Sequence, residues 1–144
     1  MMKKFRMYYG FVSMYVLLAL FDLGLSKRGF TETFKRYSKK YYSQETSYQI
    51  SESSVVEIEE FFTLLNIVCA WYPRKADCIH KTLIGYRILH SRYSIPVEMV
   101  IGVRKFPFQA HAWLMLNNQD LLMDEESNEY KVILSSYKYV QGEQ

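Results

Sequence analysis

The sequence contains few cysteines, and this scarcity narrows the class of protein. Its 144 residues include only two, Cys69 and Cys78. Small secreted domains that rely on disulfide bonds carry more cysteines than this, so we expect both thiols to be reduced and the protein to be cytoplasmic. Cys69 lies in an apolar helical run, which is typical of an unreactive thiol in a core.

Several functional motifs are also missing, and each absence argues against a class of site. The sequence has no G-x-S-x-G around a serine nucleophile. Four candidate zinc ligands exist (Cys69, Cys78, His80 and His111), but they lack the paired spacing of a zinc site. The net charge of +3 is too small to indicate nucleic-acid binding. We therefore expect no metal, no cofactor and no nucleic-acid partner.

A long apolar run near the beginning of the sequence raises the question of a membrane. Residues 8–25 contain a single charge, Asp22, and basic residues flank the run on both sides. The internal carboxylate, the flanking positive charges and the lack of an Ala-x-Ala-like cleavage site argue against a signal peptide or a membrane span. We expect a buried or interface helix, and membrane association is the less favoured interpretation.

Charge divides the sequence into two parts within a single domain of residues 1–144. Residues 1–50 are rich in Lys and Arg, and we interpret them as a helical, basic segment that docks a partner, with a solvated basic face as the alternative. Residues 51–144 form the predicted core. The periodicity predicts helices at 8–25, 31–40, 55–70 and 78–91, followed by strands at 97–103, 111–116, 121–124 and 130–140. Helices followed by an antiparallel sheet indicate an α+β fold.

Local signals predict how these elements begin and end. Ser53 or Ser54 is expected to cap the third helix, and Asp77 the fourth. Residues 117–120 are expected to form a hairpin turn. His90, at the end of the fourth helix, is expected to act as a cationic cap, because the helix dipole favours a positive charge there.

Three residues of the second part indicate thiol chemistry. Cys78 begins a predicted helix, where unpaired N–H groups favour the reactive thiolate. His111 begins a strand and can act as a base, and Asp124 can orient it because a hairpin brings the next strand back alongside. Glu125 is the alternative third member. This order of nucleophile, base and acid predicts a thiol hydrolase or acyltransferase, although each residue also has a purely structural interpretation.

The ordered motifs resemble a known family. They are W-Y-P-R at 71–74, D-C-I-H-K-T-L at 77–83, I-G-V-R-K at 101–105, P-F at 107–108 and A-H-A-W at 110–113. This combination resembles the lasso peptide biosynthesis B2 proteins, which are transglutaminase-like leader peptidases. The resemblance implies a papain-like or transglutaminase-like fold with the sheet packed on the Cys-bearing helix. It also implies a metal-free triad of Cys78, His111 and Asp124.

The same resemblance implies a function and a set of partners. The protein would be a cysteine protease that removes the leader peptide from a ribosomally made lasso precursor. A separate B1-type protein would recognise the leader, and a lasso cyclase would act afterwards as a possible further partner. Trp71 and Trp113 are candidate substrate-binding residues, with core packing as the alternative for each. Two other functions remain open: a transglutaminase-like or acetyltransferase-like acyl transferase, and a non-enzymatic interaction module.

Overall fold

The computed structural model describes residues 2–41, 49–73, 78–117, 119–121 and 129–142. Its elements in chain order are α1 (Met2–Arg28), α2 (Phe30–Lys40), α3 (Glu52–Trp71), α4 (Cys78–Ser91), β1 (Glu98–Arg104), β2 (Gln109–Leu116), β3 (Gln119–Asp120), β4 (Lys131–Ser135) and α5 (Ser136–Gln141). Most of the helical residues thus precede the sheet, which confirms the predicted α+β class.

The described strands form one antiparallel sheet in the order β3-β2-β1-β4. One face of this sheet packs on α4, where Leu83 joins Met99 of β1 and Leu114 of β2 in the hydrophobic core. Each fully buried side chain of this kind stabilises the fold by about 1.5–3 kcal/mol. The prediction of a sheet packed on the Cys-bearing helix is therefore confirmed.

Helices α1 and α2 contribute to the same core as α3 and α4. Met14, Leu18 and Phe21 of α1 are buried, as is Phe34 of α2. The ring of Phe34 lies 6.1 Å from that of Tyr139 in α5. The basic part of the chain therefore carries core side chains as well as charge.

The opposite side of α1 is apolar and exposed. Its large hydrophobic side chains recur at helical spacing and form what we call the open face of α1: Phe5, Tyr9, Val12, Val16, Leu20 and Leu23. By length and composition alone, the helix Met2–Arg28 is also long and apolar enough to cross a membrane. A core helix or a signal sequence near an N-terminus passes the same test. Because the middle of α1 packs on the domain, the helix has one face in the core and one open face.

The structure corrects three local predictions. The strand predicted at 130–140 is the short strand β4, which is followed directly by helix α5 from Ser136. Ser51 caps α3, because its hydroxyl accepts a hydrogen bond from the Ser54 amide at 3.3 Å, whereas the sequence predicted Ser53 or Ser54 as the cap. The earlier start places Glu52 in the first turn, where the helix dipole favours an acid. The predicted cap Asp77 lies outside the described residues.

The third correction concerns the hairpin between β2 and β3. Met115 pairs with Asp120 and Leu116 with Gln119, so Gln119 and Asp120 belong to the ladder and not to the turn predicted at 117–120. Asn117 has a φ of 53°, a left-handed conformation that Asn tolerates and that tight hairpin turns require. The polar side chains of Gln119 and Asp120 resemble turn residues in sequence, yet their backbones continue the ladder.

Candidate active site

Cys78 is the first residue of α4 and is half-buried. The amides of the first helical turn have no partner within the helix, which makes this end favourable for a negatively charged sulfur. Among the residues that the structure describes, none forms a hydrogen bond with the Cys78 side chain. The prediction that a helix begins at Cys78 is therefore confirmed.

The second thiol lies in a different environment. Cys69 is in the last turns of α3 and packs against the hydrophobic core. Burial raises the pKa of the Cys69 thiol, and the nearby charge of Lys81 acts in the opposite direction. A raised pKa leaves less thiolate at neutral pH, which agrees with the predicted unreactive role of Cys69.

His111 lies near the beginning of β2, in a small aromatic group. Its ring stacks on Trp113 with the centroids 5.7 Å apart, and the Tyr130 ring lies 5.3 Å away. On β1, Gly102 is paired with His111. A methyl group added at Gly102 would lie 2.7 Å from the Trp113 ring and 2.9 Å from Cβ of Tyr130. Because Gly102 has no side chain, Trp113 and Tyr130 can occupy this space and pack against the imidazole of His111.

The structure brings the beginning of α4 close to the beginning of β2. Ile79 and Ala112, each one residue beyond the predicted nucleophile and base, line the same small apolar cavity. Ala112 therefore faces α4, and because side chains alternate along a strand, His111 projects from the other face of the sheet. Cys78 and His111 are not hydrogen-bonded to each other. The structure thus brings the two elements together without bonding the two side chains, and catalysis would require the imidazole to approach the sulfur when substrate is bound.

The other predicted site residues are the two acids after β3 and the two tryptophans. Asp124 and Glu125, the two candidates for the third triad member, lie outside the described residues. Trp71, at the end of α3, is 74% exposed and is available for contact with a ligand. Trp113 is 8% exposed, and its contacts with His111 and Tyr130 give it a packing role beside the predicted base.

The four zinc-ligand candidates are separated by other contacts. Cys69 packs in the core, His80 is bound to a carboxylate, and His111 is stacked on Trp113. In the described parts of the chain, no group of three or more His, Cys, Asp or Glu side chains is arranged to hold a metal ion.

A buried polar cluster that was not predicted from the sequence lies near Cys78 in the chain. Asp22 of α1 is 5% exposed. One of its carboxylate oxygens accepts a hydrogen bond from the Tyr72 hydroxyl at 3.0 Å, and the other lies 3.0 Å from Nε2 of His80. We call these three residues the Asp22 cluster. The available signal was the lone acid in an apolar run, because a buried carboxylate requires partners.

Comparisons with known proteins agree with this arrangement. The microcin J25-processing protein McjB of Escherichia coli is 33% identical over 72 residues, which cover 50% of this chain and 33% of that protein. The chain thus spans about one third of the length of this relative. No solved structure matches the chain. The model of the transglutaminase-like superfamily matches residues 23–135. The match to McjB and the superfamily match both support the predicted resemblance to the lasso peptide B2 proteins. Because the superfamily match covers more than half of the chain, it shows that the chain belongs to the transglutaminase-like superfamily.

Proposed function

We propose that this protein is a cysteine peptidase that removes the leader from a ribosomally made lasso precursor peptide. The observation that carries the proposal is the position of Cys78 as the first residue of α4, against a sheet whose strand β2 carries His111. Both residues lie within the superfamily match of residues 23–135. The name of McjB, a processing protein, supports a role in peptide maturation.

The proposed reaction uses the chemistry of each group in turn. The Cys78 thiolate attacks the carbonyl carbon of the last leader residue, and backbone N–H groups at the start of α4 stabilise the oxyanion. The tetrahedral intermediate collapses as imidazolium His111 protonates the leaving amine, which becomes the N-terminus of the core peptide. Water then attacks the thioester with His111 as base, so that the leader departs with a carboxylate and Cys78 is restored.

Counting along the hairpin supports Asp124 as the third member of the proposed triad. Met115 and Asp120 are paired across β2 and β3. His111 is four residues before Met115, and Asp124 is four residues after Asp120. In an antiparallel hairpin of unchanged register, two such positions are opposite each other and on the same face. We therefore propose Asp124 in preference to Glu125. Asp124→Asn should reduce cleavage by at least about 100-fold, while Glu125→Gln should change it little.

Cleavage of the precursor by purified variants tests the proposed function. Cys78→Ala should abolish release of the core peptide, measured by mass spectrometry in the presence of the leader-recognition protein. Cys69→Ala is the matched control and should retain activity, because Cys69 is the thiol whose pKa is raised by burial. Full activity of Cys78→Ala would refute the thiol mechanism. A wild-type protein that binds the precursor without cleaving it would instead indicate an interaction module.

The superfamily match favours one alternative function, acyl transfer to an amine. The same thioester serves both reactions, because only the acceptor differs: water in a peptidase and an amine in a transferase. Adding a primary amine such as glycine ethyl ester to the cleavage reaction separates the two. A peptidase releases the leader with a free carboxylate, whereas a transferase releases it as the corresponding amide.

We further propose that the leader-recognition protein docks on the N-terminal helices. Beside the open face of α1, a groove between α1, α2 and α4 is lined by three arginines, Arg28, Arg36 and Arg87. Apolar side chains that include Leu20 and Phe21 also line the groove. A positively charged groove with apolar walls is complementary to an acidic, amphipathic segment of a partner.

A charge-matched pair of triple variants tests this docking surface. Arg28→Gln/Arg36→Gln/Arg87→Gln should weaken binding of the leader-recognition protein about tenfold or more in a titration. Lys3→Gln/Lys4→Gln/Arg6→Gln also removes three positive charges, but from the beginning of α1. This variant should change the affinity much less. Equal losses in both variants would indicate a general charge effect and refute the groove as the docking site.

A further inference from the structure

The Asp22 cluster connects the two sides of the segment that carries Cys78. Tyr72 follows the last residue of α3, and His80 is the third residue of α4. Their side chains reach the two oxygens of one carboxylate on α1, at 3.0 Å each. The intervening residues, 73–79, include Cys78. A single buried carboxylate therefore contacts the chain six residues before and two residues after the proposed nucleophile.

The surroundings of the cluster make these contacts strong. Asp22 and His80 are 5% and 8% exposed, and the Phe21 ring lies 5.9 Å from the imidazole. A carboxylate shielded from water needs hydrogen-bond partners, so displacing Tyr72 or His80 from it costs free energy. The two contacts thus resist displacement of α3's end and of α4's first turn.

We infer that Asp22 is a positioning residue that sets the location of Cys78. The inference rests on the proposed function, in which Cys78 is the nucleophile. His80 is two residues from Cys78 on the same helix, so a shift of the imidazole carries the sulfur with it. Because a displacement of about 1 Å at a reacting atom lowers rates by about 100-fold, a fixed first turn is important for catalysis. In this role Asp22 acts through Tyr72 and His80 and not on the reacting atoms.

Three variants of α1 test the inference. Asp22→Ala removes both contacts, and Asp22→Asn retains the size and one acceptor oxygen. Leu18→Ala, one turn earlier and also fully buried, removes core packing without touching the cluster. Hydrogen exchange is measured for the Thr82 and Leu83 amides, whose i−4 acceptors are the carbonyls of Cys78 and Ile79 in the first turn of α4, and for the β1 amides as a reference. Cleavage of the precursor is measured as kcat and KM.

The expected result separates positioning from general destabilisation. In Asp22→Ala, exchange at Thr82 and Leu83 should accelerate about tenfold or more relative to β1, since local opening no longer breaks the cluster. Its kcat should fall about tenfold or more with KM within about twofold, because transition-state alignment is lost while leader binding is retained. Asp22→Asn should recover part of both effects. Leu18→Ala should change exchange evenly across α4 and β1 and should leave kcat of the folded fraction nearly unchanged.

Two results would overturn the inference. One is exchange at the start of α4 that is no faster in Asp22→Ala than in Leu18→Ala. The other is a normal kcat in Asp22→Ala when Cys78→Ala abolishes cleavage. If Cys78→Ala retains cleavage, the proposed thiol mechanism fails, while the exchange measurement still decides whether Asp22 fixes the first turn of α4.

Discussion

At the scale of single residues, His90 shows how burial determines the charge of a side chain. Its Nε2 donates a hydrogen bond to the Val97 carbonyl at 2.8 Å, and its ring lies 4.4 Å from that of Tyr86. Burial lowers the pKa of His90, and the bond to Val97 acts in the opposite direction. The expectation of a cationic helix cap is therefore wrong, because a neutral imidazole joins the end of α4 to the chain leading into β1.

The lowered pKa of His90 predicts that the stability of the fold depends on pH. The pKa of His90 is lower in the folded protein than in the unfolded chain, so the unfolded chain binds the proton more readily. Its contribution to stability is therefore present above the unfolded pKa of about 6.5 and is lost as the pH falls below it. Urea unfolding at pH 7, 6 and 5 should show a decline in the wild type that is smaller in His90→Gln. Parallel declines would contradict the assignment.

Gly102 provides a second prediction at this scale. Gly102→Ala places a methyl group 2.7 Å from the Trp113 ring, a distance that real contacts do not reach. The ring must shift, and overpacking of this kind destabilises a fold by about 1–3 kcal/mol. Thermal unfolding should report that loss, and cleavage should fall further because Trp113 stacks on His111. Gly24→Ala is the control, since a methyl there meets nothing within 4 Å.

At the scale of elements, local sequence patterns predicted most of the architecture. Apolar spacing placed α3 within three residues of its observed ends, and placed α4 at its observed bounds. Alternation predicted β1 and β2 to within two residues. These signals depend on neighbours in sequence, which is why they succeed. The short strand β3 was predicted as a turn, because its two residues are polar and its pairing is set by backbone hydrogen bonds.

The cap of α3 gives a prediction for an element. Ser51→Ala removes the acceptor for the Ser54 amide and should lower the free energy of unfolding by about 1 kcal/mol. Ser53→Ala is the matched control, because the Ser53 hydroxyl bonds to the Ser51 hydroxyl and does not accept the Ser54 amide. Its effect should remain within about 0.5 kcal/mol, as for other exposed substitutions. Equal effects in denaturant titrations would show that Ser51 is not the cap.

At the scale of the whole molecule, the candidate site depends on contacts between distant parts of the chain. Cys78 and His111 were predicted because each stands at the start of an element with a recognisable motif. The partners of Asp22 were not predictable in this way, since Tyr72 and His80 lie 50 and 58 residues further along the chain. Only packing of α1 on α3 and α4 brings them together. Periodicity identifies a helix face but does not specify which distant side chain meets it.

The shared core predicts the result of shortening the chain. Deleting residues 1–40 removes Leu18, Phe21 and Phe34 from the core and should abolish cooperative thermal unfolding. Deleting residues 2–9 removes only exposed side chains and should leave a cooperative transition. Circular dichroism during heating distinguishes the two. A cooperative transition in the longer deletion would show that α3, α4 and the sheet fold without α1 and α2.

The carboxylate of Asp22 also has a consequence for biosynthesis. During translation α1 leaves the ribosome before α4, so Asp22 meets His80 only after the later helix has been made. Until then α1 is a long apolar helix of the kind that a bilayer accepts. An aspartate disfavours membrane insertion, by about 3 kcal/mol where it lies at the centre of a span, whereas packing on the domain supplies Tyr72 after α3 and His80 of α4 as hydrogen-bond partners. We therefore expect the buried contacts of Asp22 to favour docking of α1 on its own domain over insertion into lipid.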